Sequence, residues 1–224
     1  MQEFCIKIIL VPKRFLLRNK SLQTVNSKEK KMEADPNKRL VVAISGASGV
    51  DYGFEMLKQL KRLGFESHAI ISSAAKKIIS IETNHTVEAF EQQASRVYEE
   101  DDMVAPVASG SYLTKGMIII PCSIKTLSSV ANSYNSNLIA RAADVHLKER
   151  RPLVLVVRET PLHSGHLRLM LNASEMGSVI LPPIPAFYHN PKDISDIVKQ
   201  TVGRCLDSLG IPNNLFKRWG ESAA

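Results

Sequence analysis

From Arg39 to Gly210 the chain alternates short, β-branched apolar runs with longer stretches of helical period, an order that few architectures satisfy. RLVVAIS (39 to 45) predicts a strand that ends at the glycines of SGASG, and Tyr52 to Leu63 carries apolar residues at helical spacing until Gly64 stops it. SHAIIS (67 to 72) predicts the next strand, followed by a helix from about Ala74, and Val87 to Val97 is expected to be helical as well. MIIIP (117 to 121) and LVLVV (153 to 157) are continuous apolar runs, the form taken by strands buried on both faces of a parallel sheet. Ser123 to Asn132, Asn137 to Arg150, Gly165 to Met176 and Ile194 to Leu209 read as helices, Ser178 to Leu181 as a strand, and PPIP (182 to 185) as an extended connection. Such a βαβα order implies an α/β fold: one doubly wound, Rossmann-like (flavodoxin-like) parallel sheet flanked by helices.

Charge divides the chain differently. Residues 1–31 carry net +6 of the total +7, so the remainder is nearly neutral. A nucleic-acid partner is therefore not expected, because it would need a basic face on the folded part, and aromatics for base stacking are sparse at 6 %. The 44 % hydrophobic content suits a packed core, but no apolar run approaches the roughly 20 residues of a membrane span. Cys5, Cys122 and Cys205 are widely spaced and form no C-x-x-C pair, which fits a reducing compartment. His163 and His166 could share a helix face, but with no third ligand beside them no metal site is expected.

Two domains of unlike character follow: a basic extension over 1–38, disordered or cleaved, and a ligand-binding α/β domain over 39–221. The extension either precedes a true start at Met32 or is a disordered leader, and a cytoplasmic protein then results. Its basic, acid-poor character also suits a mitochondrial presequence, although it is rich in Lys rather than Arg.

In a sheet of this kind ligands sit beyond the carboxyl ends of the strands. The first such turn, Ser45 to Gly49, has two glycines that allow close approach of a ligand, a following helix N-terminus, and the Ser48 hydroxyl. A plain tight turn would look the same. The second strand ends in Ser72 and Ser73, and the third in PCSIKT, with Ser123 and Thr126 at a helix head. Helix capping explains each of these singly, whereas three at one edge suggest a phosphate or polyol. Arg141, Asp144 and Lys148 lie along one helix side, and Arg158 and Glu159 end the next strand. A solvated charged face accounts for the first group; together the two suit an anionic substrate and proton transfer.

ISGASG, SIETN, ASGS, PCSIKTL, NLIARAADVHLKERRPLVLVVRETPLH, HLRLM, PPIPAFYH and the terminal RWGE, in this order and spacing, resemble the UbiX-type flavin prenyltransferases from about Arg39 to Glu221. The resemblance implies a metal-independent transferase that moves a dimethylallyl group from dimethylallyl phosphate to N5 and C6 of reduced FMN. Its product, prenylated FMN, serves a UbiD-type decarboxylase, as in ubiquinone or aromatic acid metabolism. It implies that Gly46, Ala47 and Ser48 line the flavin, with Ser72, Ser123, Thr126 and Arg141 on its phosphate and ribityl portions. Lys148, Tyr188 and Arg204 would grip the prenyl phosphate, with Ser109 and Arg158 nearby, Trp219 as apolar wall, and Glu82 and Glu159 handling protons beside Ser48 and Lys148. Met103 departs from relatives that carry an aromatic there.

The same resemblance implies a homo-oligomer, as large as a dodecamer, in which Tyr188 and Arg204 join the site through folding or from a neighbouring subunit. An FMN-dependent decarboxylase of aromatic acids or cysteinyl peptides, and a non-enzymatic flavin carrier, are the competing readings. Four cations, Arg141, Lys148, Arg158 and Arg204, favour a phosphate over a substrate that loses carbon dioxide.

Overall fold

The computed structural model describes residues 35–220. Residues 1–34, on which the leader and presequence readings fall, and residues 221–224 lie outside the described part. Six parallel strands form one sheet in the order β3-β2-β1-β4-β5-β6: β1 Arg39–Ile44, β2 Glu66–Ile71, β3 Arg96–Tyr98, β4 Gly116–Cys122, β5 Leu153–Val157 and β6 Val179–Ile180. The helices are α1 Val50–Arg62, α2 Ser73–Glu82, α3 Val87–Glu91, α4 Ile124–Ala131, α5 Leu138–Lys148, α6 Ser164–Glu175 and α7 Ile194–Ser208.

The apolar runs explain the layers. Every residue of β4 and β5 is buried, as expected of strands covered on both faces. Alternate side chains of β1 separate two cores: Leu40, Val42 and Ile44 pack in the core that includes Met56 and Leu60 of α1 and Val202 of α7. Val41 and Ala43 face the other, with Leu127 of α4 and Ile139 of α5. Each fully buried Leu or Met contributes about 1.5–3 kcal/mol, so the helical period of α1 is selected by the sheet beneath it.

One expectation is corrected. Val87 to Val97 is not one helix: α3 ends at Glu91, and Arg96–Tyr98 is an edge strand paired with His68, Ala69 and Ile70. Phe90 satisfies the helical period by burial in the core, but among Gln92 to Ser95 only the small, partly buried Ala94 packs against it, a weak anchor for a longer helix. The open edge of β2 then supplies backbone partners that a longer helix would leave unmet. The predicted strand from Ser178 shortens to Val179–Ile180.

Strand order reverses between β1 and β4, since β2 and β3 lie to one side of β1 and β4 to β6 to the other. That switch point opens a crevice at the carboxyl ends of β1 and β4. Among the described residues no helix is long and apolar enough to cross a membrane.

Candidate active site

The crevice is held open by polar stitching between two strand ends. The buried Ser45 donates its hydroxyl proton to the Pro121 carbonyl at 2.9 Å, and the same oxygen accepts from the Ser123 backbone N–H at 2.8 Å. Thus the loops after β1 and β4 are locked together at the switch point. The sequence offered Ser45 only as part of a glycine turn, and its bridging role depends on a strand 76 residues away.

Around this stitch lies a cleft of about 470 Å³, lined by Gly46, Ser72 to Ala74, Glu100, Ser123 to Thr126, Ser129, Ser136, Asn137, Ala140 and Glu159. Three helices begin in it. Ser72, Ser123 and Asn137 cap α2, α4 and α5, their side-chain oxygens accepting from Ala75, Thr126 and Ala140 N–H at 3.1, 3.3 and 3.0 Å. Each cap is worth about 1 kcal/mol, and the N–H groups left over at three converging helix starts favour an anion. Gly46 permits the close approach of the loops, because a Cβ there would fall 2.4 Å from the Ala74 Cβ. A cleft of hydroxyls and helix N-termini with one cation, Lys125, on its lining fits a phosphate-bearing polyol such as FMN.

Beside it, Gly49 starts α1 in a left-handed conformation at φ 92°, and its N–H donates to Glu82 Oε2 at 2.8 Å. The end of α2 is thereby brought to Ser48. Glu159 reaches the lining directly and accepts from Thr160 N–H at 3.0 Å. Cys122, next to Ser123, is not a nucleophile: burial pushes its thiol up to about 12. Glu100 is a lining residue that sequence reasoning missed, since Glu99 to Asp102 reads as a solvated acidic turn. Burial would raise its carboxyl, but hydrogen bonds from the Ser73 side chain and backbone, with Lys125 and Asn137, outweigh that and hold it below the usual range.

The remaining expected site residues form separate groups within one chain. Arg141 is on the α5 side, donating to the Ala108 carbonyl at 3.1 Å and pairing with Asp144 at 3.3 Å. Ser109, bonded to Ser111 at 2.9 Å, belongs to the same flank. Lys148 ends α5 beside Glu149 and Gly110. It is eight residues beyond the cleft-lining Ala140, about 12 Å along the helix, and close to where β5 begins. Tyr188 and Trp219 pack edge to face with centroids 5.5 Å apart, Trp219 being 82 % exposed. Arg204 pairs with Asp207, which also holds Arg218. Arg158 leaves β5 with its N–H on the Cys122 carbonyl, and its charge opposes the rise that burial imposes on the Tyr52 hydroxyl.

Comparison with known proteins places this geometry. The Flavoprotein family model matches residues 28–205. A flavin prenyltransferase UbiX of Thauera aromatica is 54 % identical over 181 residues, 81 % of this chain and 93 % of that one. The chain belongs to the UbiX flavin prenyltransferase family. Another UbiX flavin prenyltransferase, from Escherichia coli K12, is 52 % identical over 185 residues, covering 81 % of this chain and 98 % of its own. Among solved structures, a UbiX protein in complex with FMN and dimethylallyl pyrophosphate superposes with TM-score 0.81 at 45 % identity, over 83 % of this chain and 98 % of that one. A dodecameric FMN-dependent UbiX-like decarboxylase from Escherichia coli O157:H7 superposes with TM-score 0.80 at 41 % identity, over 82 % and 100 %. The flavoprotein assignment and the α/β expectation therefore agree with the UbiX family as a whole, and among the described residues no cluster could hold a metal ion.

Proposed function

We propose that this chain transfers a dimethylallyl group from dimethylallyl phosphate to N5 and C6 of reduced FMN, releasing prenylated FMN for a UbiD-type decarboxylase. The observation that carries the reading is the cleft at the β1/β4 switch point, where three helix starts and their capping side chains converge. In this proposal Ser72, Ser123, Thr126 and Arg141 hold the flavin phosphate and ribityl chain, and Gly46, Ala47 and Ser48 line the ring. Bound flavin supplies the nucleophilic atoms.

Departure of phosphate from an allylic carbon develops negative charge on the leaving group and positive charge on the carbon. Lys148, Tyr188 and Arg204 stabilise the first, with Ser109 and Arg158 nearby. Tyr188 and Trp219 present π surface to the second and exclude water. Glu159, on the cleft lining, and Glu82, beside Ser48, hold and move protons as the bonds form.

Within one chain Lys148 stands at the end of α5 remote from the cleft. Its role therefore requires a second copy, and we assign the active form to a homo-oligomer. The exposed Phe187, Tyr188 and Trp219 suit such an assembly, as does the dodecamer formed by the Escherichia coli O157:H7 relative.

The test is anaerobic incubation of the purified protein with reduced FMN and either dimethylallyl phosphate or the diphosphate, followed by mass spectrometry of the released flavin. A flavin carrying one added five-carbon unit is expected with at least one donor. Unmodified flavin with both donors would overturn the assignment, and release of carbon dioxide from a phenolic acid by the chain alone would replace it with a decarboxylase.

A further inference from the structure

Glu100 stands where a ligand anion would be expected. Its Oε1 accepts from the Ser73 backbone N–H at 3.0 Å and from the Ser73 hydroxyl at 2.5 Å, in the first turn of α2. Its Oε2 accepts from Asn137 Nδ2 at 3.4 Å, and its carbonyl from Leu138 N–H at 2.7 Å, which ties it to the start of α5. The carboxylate therefore bridges two of the three helix starts that line the cleft. These are the donors that favour a phosphate at a helix N-terminus, and one of them is already taken by an internal anion.

We propose that the Glu100 carboxylate competes with the flavin phosphate for the first turn of α2 and so limits how tightly the flavin is retained. The inference rests on the flavin prenyltransferase reading, in which the modified flavin must leave for another protein. A negative side chain beside a phosphate dianion weakens binding without altering the cleft's shape. Two such groups several ångströms apart in partly hydrated surroundings repel by about one order of magnitude in affinity. Glu100 is thus a positioning residue, acting on release rather than on bond formation.

Glu100→Gln keeps a carbonyl oxygen for the Ser73 N–H and removes the charge, and Glu100→Ala removes the side chain altogether. FMN and riboflavin, which differ by the phosphate, are titrated against the full-length protein and both variants by flavin fluorescence, with dissociation followed by stopped flow. Expected is an FMN affinity about tenfold tighter in Glu100→Gln, with slower dissociation, and riboflavin affinity unchanged. FMN affinity that is unchanged or weaker in both variants overturns the proposal, as does an equal gain for riboflavin, which would indicate a general change of cleft shape. Because this assay reads binding and the prenyl-transfer assay reads product, failure of the competition is distinguishable from failure of the proposed reaction.

Discussion

The Gly49 backbone N–H donates to the Glu82 carboxylate at 2.8 Å, so the last residue of α2 holds the residue that precedes α1, beside Ser48. A carboxylate at that position offsets the positive end of the helix and fixes the loop that faces the cleft. Glu82→Gln keeps an acceptor for Gly49 but cannot carry the proton. Stability in urea should change by less than about 1 kcal/mol, while turnover falls by about two orders of magnitude, the usual scale of general acid–base catalysis. Turnover within twofold of wild type would remove Glu82 from proton handling.

Gly46 and Ala74 place the two loops in contact, and a Cβ on residue 46 would meet the Ala74 Cβ at 2.4 Å. Gly46→Ala should cost about 1–3 kcal/mol of stability through overpacking. FMN affinity should fall at least about tenfold, because the loops must separate. Calorimetry of the unfolding transition and a flavin titration check the two effects independently.

Lys148 and Glu159 are on different parts of one chain, Glu159 on the cleft lining and Lys148 where α5 ends. Lys148→Ala and Glu159→Gln chains should each be nearly inactive alone. Refolded together, they should recover activity, since a mixed assembly contains some sites with both wild-type residues. Absence of recovery in verified mixed oligomers would place Lys148 outside the site.

His146 is buried on α5, with Nε2 2.8 Å from the Thr114 hydroxyl and Nδ1 2.6 Å from the Ala142 carbonyl. Burial lowers its pKa to about 4, partly opposed by the Ala142 bond and reinforced by Arg151. Between that value and about 6.5 the unfolded chain binds the extra proton, so stability rises with pH there and is fully present above 6.5. Wild type should lose up to about 3 kcal/mol from this group as pH falls from 6.5 to 4. Urea denaturation of His146→Gln across that window should show a correspondingly shallower slope.

Asp207 receives two bonds from Arg218, at 2.9 and 2.8 Å, and one from Asn213 at 2.9 Å. Burial alone would raise its carboxyl, but Arg218, Asn213 and Arg204 together hold it below the usual range. Its stabilisation is present above about pH 4 and is lost as pH falls through the lowered value. Asp207→Asn should destabilise by about 1–3 kcal/mol at neutral pH and loosen the segment that carries Trp219. The tryptophan emission of this single-Trp protein reports that change.

Much of the scaffold is legible in the sequence. MIIIP and LVLVV were recognisable as doubly covered strands because five consecutive apolar residues have no solvent face to offer. Ser72, Ser123 and Asn137 marked helix starts because capping acts within a few residues along the chain. Val87 to Val97 misled because α3 is short and β3 gains its identity only from the free edge of β2, a partner nearly 30 residues earlier.

The turn from Ser45 to Gly49 and the strand-end hydroxyls were determined by sequence alone, since local spacing and backbone freedom decide where strands stop and helices start. Only the tertiary structure decided which of them meet. Ser45 stitches β1 to β4, Glu82 reaches Gly49 from the far end of α2, and Glu100 takes a helix start from an acidic turn. Each contact joins residues 27 or more positions apart. Such partners are set by the parallel crossovers and the order of strands in the sheet, which bring distant loops to one edge, and no local periodicity encodes them.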